Sequence, residues 1–275
     1  MPSMESDEPT PGGEQEFGGL LREFRRGRRL SQLDLSLHAE GSQRHLSFLE
    51  SGRARPSRDM VVQLSEALDL PLATRNRLLG AAGFAGIYPR RQLDAAEMAP
   101  VRTALERMMS LHEPFPALVV DRSWNLVMAN RALPKLLDLL GGGEAIAKRV
   151  GGMNLMRMTL HPEGLRPYIQ NFDEIATHLL TRAAHEAMDY RELDRLLSEV
   201  LKYPGLPARS KHVDRSTSML PILPMQLSLN DTQLSLFTTL TTFGTPMDIT
   251  TDELRIENLY PADEASDRLM RQFLA

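Results

Sequence analysis

The first third of the chain alternates short amphipathic segments with turn-forming residues. Phe17, Leu20 and Phe24 recur at helical spacing with arginines on the opposite face, which predicts a helix over residues 17–29. Similar patterns, bounded by capping residues and glycines, predict four more helices at 31–39, 43–50, 57–68 and 71–83. Five short helices with short connections indicate a compact all-α five-helix domain at residues 17–84.

The pattern changes after a predicted linker at residues 85–98. A helix at 99–112 precedes two apolar runs, 117–120 and 124–129, which a turn separates and which predict a hairpin. The same reasoning predicts helices at 133–140, 165–188, 191–201 and 262–273, a second hairpin from 225–229 and 234–238 turning at 230–232, and a strand at 254–259. Residues 99–275 should therefore form an α+β domain with an antiparallel sheet and covering helices.

Length and composition narrow the class of protein. A chain of 275 residues is long enough for two domains, and its lack of cysteine excludes disulfides, cysteine-ligated metals and cysteine nucleophiles. No apolar run reaches the ~18 residues that a membrane helix needs. Residues 1–16 are acidic and rich in proline and glycine, which predicts a disordered tail and not a signal peptide. We expect a cytoplasmic protein without membrane contact.

Positive charge is concentrated in the first domain. Between Phe17 and Met60, nine arginines and five acidic residues give a net charge of +4, whereas the whole chain carries −4. The remainder of the chain is therefore acidic. A basic domain joined to an acidic one indicates that only the first meets a polyanion.

Residues 30–52 have the pattern of two crossed helices that present the second helix outward. Leu35, Ala39, Leu46 and Leu49 occur where such helices touch. The residues predicted to contact DNA are Gln43, Arg44, His45 and Ser47 at the start of the second helix, then Gln32, Arg53 and Arg55, with Arg22, Arg25 and Arg26 as further candidates. Gln pairs with adenine and Arg with guanine in a major groove, so the first four should face bases. We expect the others to contact phosphates.

A plain helical bundle with a solvated basic face is the alternative, because most charge runs have that role. The order of caps, turn and apolar positions from Ser31 to Ser57 favours DNA binding instead. This segment resembles the XRE, or Cro/repressor-like, helix-turn-helix family, except that Gly41 replaces the usual apolar residue of the turn. The expected partner is double-stranded DNA on the bacterial nucleoid. We expect a homodimer, because one such head touches too few base pairs for strong specificity.

The second domain opens with a strand, a turn, a strand and Asn130-Arg131-Ala132 entering a helix, which resembles a PAS-type sensor domain. Five blocks, at residues 44–57, 97–101, 113–124, 161–167 and 239–248, are similar to the MmyB-like regulators. The resemblance covers nearly the whole chain from Leu20 onward. It implies a PAS-like ligand-binding domain behind the DNA-binding head. Because members of that family hold a fatty acid there, it also implies a small, apolar, fatty-acid-like ligand.

Six residues of this domain are candidates for ligand contacts: Trp124, Asn130, Asn154, His161, Arg166 and Asn171. Trp124, the only tryptophan, suits core packing or a pocket wall. The three asparagines lie among apolar neighbours, where an amide either bonds a ligand or caps a helix, which is the commoner role. His161 and Arg166 are suited to a carboxylate.

The sequence therefore predicts a DNA-binding transcriptional regulator that senses a small molecule. It predicts no metal, no catalytic residue and no cofactor apart from a bound fatty acid as ligand. An enzyme with a DNA-binding head is disfavoured, because Gly141–Gly143 lacks nucleotide-binding spacing and is expected to be a flexible break, and because Glu174 and His178 lack a second ligand pair. A second domain that serves only oligomerisation or a protein partner stays open, and a sealed core would support it.

Overall fold

A computed structural model describes residues 13–187, 190–207, 222–229 and 232–274. The chain divides into two compact units. Unit 1 comprises residues up to Arg90 with Met247–Ile249, and unit 2 comprises Arg91–Pro246 with Thr250–Ala275. The division falls inside the linker predicted at 85–98. Residues 1–12 of the predicted tail, the predicted helix end at 188 and the predicted turn residues 230 and 231 lie outside the described residues.

The described part of unit 1 has five α-helices: α1 (Gly13–Gly27), α2 (Gln32–His38), α3 (Gln43–Glu50), α4 (Arg58–Ala67) and α5 (Leu72–Ala81). The five predicted helices are confirmed. However, α1 begins at Gly13, so residues 13–16 are helical and do not belong to a disordered tail. Serine hydroxyls at Ser31, Ser42 and Ser57 accept hydrogen bonds from the first backbone N–H groups of α2, α3 and α4. These bonds fix where the three helices begin.

The apolar faces of these helices meet in one core. Leu35, Ala39, Leu46 and Leu49, predicted at the crossing of α2 and α3, are all buried in it. The residues that follow α5 stay bonded to that helix. The Asn76 amide donates to the Tyr88 carbonyl oxygen (2.7 Å) and accepts from the N–H groups of residues 87 and 88. This part of the predicted linker is therefore packed on unit 1.

Unit 2 contains a five-stranded antiparallel sheet. Its strands are β1 (Ala117–Val120), β2 (Leu126–Ala129), β3 (Met225–Leu229), β4 (Thr232–Thr241) and β5 (Arg255–Pro261), in the order β2-β1-β5-β4-β3. Both predicted hairpins are confirmed, β1 with β2 and β3 with β4. The last strand, β5, lies between β1 and β4 and joins the two hairpins into one sheet.

The remaining helices are α6 (Ala99–His112), α7 (Ala132–Leu139), α8 (Gly143–Val150), α9 (Leu155–Leu160), α10 (Phe172–Ala187), α11 (Arg191–Val200), α12 (Ile249–Glu253) and α13 (Glu264–Leu274). At β1 the sheet is covered on both faces. Ala117 and Val119 pack with apolar residues of α6, whereas Leu118 and Val120 pack with those of α7 and α8. All four β1 side chains are buried, which explains the continuous apolar run. The predicted fold class, an all-α domain followed by an α+β PAS-like domain, is confirmed.

Three details of unit 2 differ from the prediction. The helix predicted at 165–188 begins only at Phe172, because residues 166–168 form a 3₁₀ turn and the Gln170 N–H donates to the Gln226 carbonyl oxygen of β3 (2.8 Å). The short helices α8, α9 and α12 were not predicted. Residues 141–143 form a defined turn and not a flexible break: Gly142, at φ +87°, donates to the Leu137 carbonyl oxygen (2.9 Å), and α8 starts at the next residue.

Candidate functional site

Two caps and a tight turn hold α2 and α3 in place. The Ser31 hydroxyl accepts from the Asp34 N–H (3.1 Å) while the Asp34 carboxylate accepts from the Ser31 N–H (2.9 Å), the predicted capping box. In the turn, Glu40 and not Gly41 adopts the left-handed conformation, with φ +46°. The Gly41 N–H donates to the Ser36 carbonyl oxygen (2.7 Å), and a Cβ on Gly41 would have no neighbour closer than 3.7 Å. The turn is therefore defined without the apolar residue that the family usually has.

The start of α3 is its exposed end. Exposure along the helix is high at Gln43 and Arg44, intermediate at His45 and Ser47, and low at Leu46 and Leu49. The Arg44 guanidinium lies 5.5 Å from the centre of the Phe48 ring, one turn further along the same helix. The structure thus brings the four predicted base-contact residues to the first five positions of one helix, whose N-terminal end is the part that helix-turn-helix proteins insert into a major groove.

Three of the predicted phosphate contacts, Gln32, Arg53 and Arg55, have different surroundings. Arg53 and Arg55, on the loop after α3, are exposed. Gln32 is half-buried, and its Nε2 donates to the Glu50 carboxylate (2.9 Å). One N–H of the Gln32 amide is therefore engaged inside the protein, which the sequence did not indicate. The phosphate contacts stay a prediction.

Glu50, the last residue of α3, ties together α1, α2 and α3. Its buried carboxylate accepts from Arg25 Nε (2.6 Å), Arg25 Nη2 (2.9 Å) and Gln32. Arg22 donates to the Glu50 backbone carbonyl oxygen (2.9 Å), and Arg25 Nη1 donates to that of Leu30 (2.8 Å). We call Arg22, Arg25, Gln32 and Glu50 the Glu50 cluster. Arg25 was a candidate for phosphate contact, and its buried ion pair corrects that assignment.

The charges of the Glu50 cluster stabilise one another. Burial alone raises the pKa of the Glu50 carboxyl, but hydrogen bonds from Arg25 and Gln32, with the charges of Arg25 and Arg22, outweigh burial and hold that pKa below its usual range. The hydrogen bond to Glu50 raises the pKa of Arg25. Both groups are therefore charged at neutral pH, and removing either one would leave a buried charge without its partner.

A glycine lets α1 approach the end of α3. A Cβ on Gly18 would lie 2.6 Å from the Leu49 carbonyl oxygen and 2.8 Å from that of Glu50. A Cβ on the neighbouring Gly19 would meet nothing within 4 Å. Gly18 and the Glu50 cluster therefore fix the C-terminal end of α3, while the Ser42 cap fixes its exposed N-terminal end.

Unit 2 holds an apolar cavity of about 180 Å³ between α7, β4 and α13. Residues that line it include Leu136, Leu139, Thr232, Leu234, Met270 and Phe273. Leu139 and Phe273 are 45% and 51% exposed, so the cavity opens to solvent on their side. A concave surface lined mainly by apolar side chains, with Thr232 as the polar residue among the described lining, suits an apolar group.

The predicted ligand residues do not line this cavity. Asn130 bonds four backbone groups between residues 109 and 133. Asn154 caps α9 and donates to the Ser123 carbonyl oxygen (2.7 Å). Asn171 accepts from the Gln226 N–H (3.0 Å) and donates to the carbonyl oxygen of residue 224. These contacts account for all three asparagines without a ligand. Asn154 caps a helix, the other role that the sequence left open, whereas Asn130 and Asn171 also join loops to neighbouring segments, a role that was not predicted.

The other three candidates also make contacts within unit 2, although the indole Nε1 of Trp124 has no hydrogen-bond acceptor among the described residues. Arg166 donates to the backbone carbonyl oxygens of residues 204 and 205. His161 packs edge-on against the Tyr203 ring. Trp124 is 2% exposed and belongs to the apolar core, the first of its two predicted roles. The residues that do line the cavity were missed, because leucine, methionine and phenylalanine at helical spacing look like ordinary core; only the exposure of Leu139 and Phe273 sets them apart.

The described residues give no sign of a metal centre or a membrane segment. Nowhere in the described ranges do three or more His, Cys, Asp or Glu side chains come together as metal ligands. Glu174, noted for its spacing to His178, instead accepts a hydrogen bond from Asn171 (3.2 Å). None of the helices within those ranges has the length and apolarity needed to cross a membrane.

A capped helix-turn-helix in one unit and an α+β unit with an apolar cavity define a DNA-binding regulator with a ligand-binding domain. Comparison with family models agrees: residues 16–78 match a helix-turn-helix domain, and residues 101–273 match the MmyB-like transcription regulator ligand binding domain. The second match covers more than half of the chain. The chain therefore belongs to the family of MmyB-like transcription regulators.

Among solved structures, the chain is similar to the clp gene regulator ClgR from C. glutamicum. The two are 28% identical over 28% of this chain and 92% of that chain, with a TM-score of 0.23. No curated protein matches the chain. Because a TM-score this low carries no argument about fold, membership of the family rests on the two family models.

Proposed function

We propose that this transcription regulator reads a specific DNA sequence through the N-terminal half of α3, and that a small apolar molecule bound in unit 2 changes its affinity for DNA. The observation that carries the first half is the exposed pair Gln43 and Arg44 on a helix whose two ends are fixed by the Ser42 cap and the Glu50 cluster. A rigidly held helix with polar residues at its exposed end suits direct reading of base edges.

Each exposed side chain of α3 has a role in this proposal. Arg44 donates two hydrogen bonds to guanine and Gln43 pairs with adenine, while His45 and Ser47 lie beside them. Gln32, Arg53 and Arg55 hold the DNA backbone through phosphates. The net charge of +4 on residues 17–60 favours the approach to DNA. We expect the regulator to act as a cytoplasmic homodimer on the nucleoid, since two heads read twice the number of base pairs.

The cavity between α7, β4 and α13 supports the ligand half of the proposal. At about 180 Å³ it is somewhat larger than an engineered cavity of about 150 Å³ that binds benzene. It is smaller than the roughly 300–1,000 Å³ typical of pockets for drug-sized ligands. It therefore suits a small ring or part of an acyl chain, as in a fatty-acid-like ligand. Such a cavity also favours a sensor over a domain that serves only oligomerisation.

Selection of binding sites from random DNA, with the full chain, tests the DNA half. A recurring site should emerge, and Arg44→Ala should lose about 1–3 kcal/mol of binding free energy at one or two positions of that site. Arg131→Ala, which removes an arginine side chain 85% exposed in unit 2, is the matched control and should leave the site unchanged. An Arg44→Ala variant with unchanged site and affinity would exclude Arg44 from base reading.

Native mass spectrometry of the purified protein, followed by denaturing extraction, tests the ligand half and the dimer together. We expect a dimer that carries an apolar molecule, and Met270→Phe, which fills the cavity, should reduce the bound fraction. A ligand that Met270→Phe does not displace would show that the cavity at α13 is not its site. A monomer at the concentrations that bind DNA would contradict the homodimer.

A further inference from the structure

Unit 2 contains a second polar feature that neither the cavity nor the DNA interface uses. Three segments that are distant in sequence bring together what we call the arginine cluster: Arg122, Trp124, Arg182, Glu186, Arg255 and Glu257, with the Tyr190 ring beside them. Arg122 and Trp124 come from the β1–β2 turn, Arg182 and Glu186 from the end of α10, and Arg255 and Glu257 from β5, while Tyr190 is the residue before α11. The Arg255 and Glu257 side chains are only 7% and 9% exposed.

The ion pairs of the arginine cluster centre on Glu186. Its carboxylate accepts from Arg182 Nε (3.1 Å) and from Arg255 Nη1 (2.6 Å). Glu257 is held less closely, since its nearest arginine nitrogen, Arg182 Nη1, is 3.8 Å away. The cluster therefore has one carboxylate that is well bonded and one that is buried with only a distant partner.

Two buried donors in the arginine cluster have no acceptor among the described residues. They are Arg122 Nε and the indole Nε1 of Trp124. The Arg122 guanidinium lies 4.7 Å from the centre of the Tyr190 ring, and the Arg182 guanidinium lies 4.6 Å from that of Trp124. Trp124 also adopts a left-handed backbone, φ +65°, which is rare for a bulky residue and is typical of ligand clamps. Buried donors are nearly always bonded in native proteins, so these two indicate an acceptor that the described residues do not supply.

The charges of the arginine cluster do not balance. Three guanidinium groups face two carboxylates, and burial raises the pKa of the Glu257 carboxyl, which disfavours its negative charge. Burial lowers the pKa of Arg255, and the positive charges of Arg122 and Arg182 lower it further. Among the described side chains, and with Glu186 and Glu257 both ionised, the cluster is therefore short of one negative charge. A buried water molecule would bond the two donors but would leave this charge uncompensated.

We propose that the arginine cluster binds the carboxylate group of a small monoanionic ligand. A carboxylate supplies the two missing hydrogen-bond acceptors, matches the planar fork of an arginine and adds the single negative charge that the cluster lacks. A phosphate dianion would add one charge too many. The proposal rests on the sensing function of unit 2 and sharpens it, since it assigns an anionic ligand group to a site separate from the cavity at α13.

Trp124 makes the test direct, because it is the only tryptophan of the chain and its emission reports on the arginine cluster. The full-length protein is titrated at pH 7 and constant ionic strength with sodium acetate, butyrate, hexanoate and benzoate, and separately with hexan-1-ol and inorganic phosphate. We expect a saturable change in Trp124 emission with at least one of the carboxylates, and none with phosphate. Arg122→Gln should weaken that binding at least tenfold, Arg122→Lys should restore part of it, and the matched control Arg131→Gln should bind like the wild type.

Several outcomes would overturn the proposal. One is the absence of a saturable response to any carboxylate, and another is equal affinity in the wild type and in folded Arg122→Gln. Phosphate binding as tight as carboxylate binding would contradict the assignment of a monoanion. A response to hexan-1-ol alone would leave ligand sensing in place and remove the anionic site. Loss of the selected DNA site would count against the proposed function and not against the arginine cluster.

Discussion

Each unit of the protein buries a group of charged side chains, and the two groups differ in how completely they are bonded. In unit 1, every nitrogen of the Arg25 guanidinium donates a hydrogen bond, and Glu50 accepts from both Arg25 and Gln32. In unit 2, the arginine cluster has an excess of arginine and two donors without an acceptor among the described residues. A fully bonded network orders helices, whereas an incompletely bonded one implies a missing component.

The difference also has a mechanical meaning. The Glu50 cluster joins α1, α2 and α3, so it holds the helix that we propose to read DNA. The arginine cluster joins a turn, a helix end and a strand of unit 2. The two clusters therefore suit the roles that we propose for them, a rigid reading head in unit 1 and a ligand-binding sensor in unit 2. Four predictions test this contrast.

The largest effect is expected from breaking the Glu50 cluster. Glu50→Ala leaves Arg25 buried without its partner and should lower the free energy of unfolding of unit 1 by about 3 kcal/mol. Glu23→Ala, an exposed acid on α1, should change it by less than about 0.5 kcal/mol. Urea unfolding followed by circular dichroism measures the change, while Trp124 fluorescence monitors unit 2 and should stay unaltered. An equal loss of unfolding free energy in both variants would mean that the buried Arg25–Glu50 pair does not stabilise unit 1.

A smaller effect is expected at the contact of α1 with α3. Gly18→Ala places a Cβ against the Leu49 and Glu50 carbonyl oxygens and should destabilise unit 1 by about 2 kcal/mol. Gly19→Ala, where a Cβ meets nothing, should stabilise it by about 0.5–1 kcal/mol, because alanine favours a helix over glycine. The same urea titration compares the two. Stabilisation by both substitutions would show that α1 can move away from α3.

Arg122 should behave in the opposite way to Glu50. Removing Arg122 takes away a charge that opposes those of Arg182 and Arg255, so Arg122→Met should leave unit 2 within about 0.5 kcal/mol of the wild type or make it more stable. The Trp124 fluorescence transition in urea measures this, with Arg131→Met as control. A loss of 2 kcal/mol or more would place Arg122 among the bonded, structural arginines.

The smallest expected effect is the pH dependence of the free energy of unfolding, which should have opposite signs in the two units. The pKa of Glu50 is lowered, so its contribution to stability is complete above about pH 4.3, the ordinary pKa of a glutamate, and is lost as the pH falls through the folded value. Burial is the main cause that raises the pKa of Glu257. The negative charge of Glu186 raises it further, whereas the positive charges of Arg182 and Arg255 lower it. The folded unit 2 therefore takes up a proton at Glu257 before the unfolded chain does, and this residue adds stability as the pH falls from the raised pKa towards about 4.3.

Urea midpoints between pH 7 and pH 3 separate these two contributions. The fluorescence midpoint of unit 2 should rise first, and the circular dichroism midpoint of unit 1 should fall below about pH 4.3. Glu257→Gln should abolish the rise and Glu50→Gln should reduce the fall. A fluorescence midpoint with the same pH profile in wild type and Glu257→Gln would contradict the assignment to Glu257.

Local features of the fold could be predicted from the sequence because they depend on neighbouring residues. Ser31 and Ser42 cap helices by bonding an N–H three residues further on, and both hairpins join segments that are adjacent in the chain. The place of β5 between β1 and β4 could not be predicted, since it pairs residues more than a hundred positions apart. The break before α10 was missed for the same reason, because it depends on a bond from Gln170 to β3.

The candidate sites show the same difference between local features, which could be predicted, and contacts between distant residues, which could not. Gln43, Arg44 and Ser47 could be assigned to one helix end because their spacing alone places them there. The Glu50 cluster and the arginine cluster need contacts between residues that are 25 and 69 positions apart, so neither had a sequence signal. The three predicted asparagines lie in apolar segments because they bond loops to the sheet and helices, and this role explains their position without a ligand.

The ends of the β-sheet bear on how the protein behaves at high concentration. Its outermost strands, β2 and β3, are only four and five residues long. Each also carries a backbone bridge from a neighbouring loop, Asn125 to Asn154 beside β2 and Ile169 to Leu227 on β3. Short edge strands whose backbone groups are already partly paired offer few free hydrogen-bonding groups to a strand from another molecule. The sheet is thereby shielded from the edge-to-edge stacking that leads to fibrous aggregates.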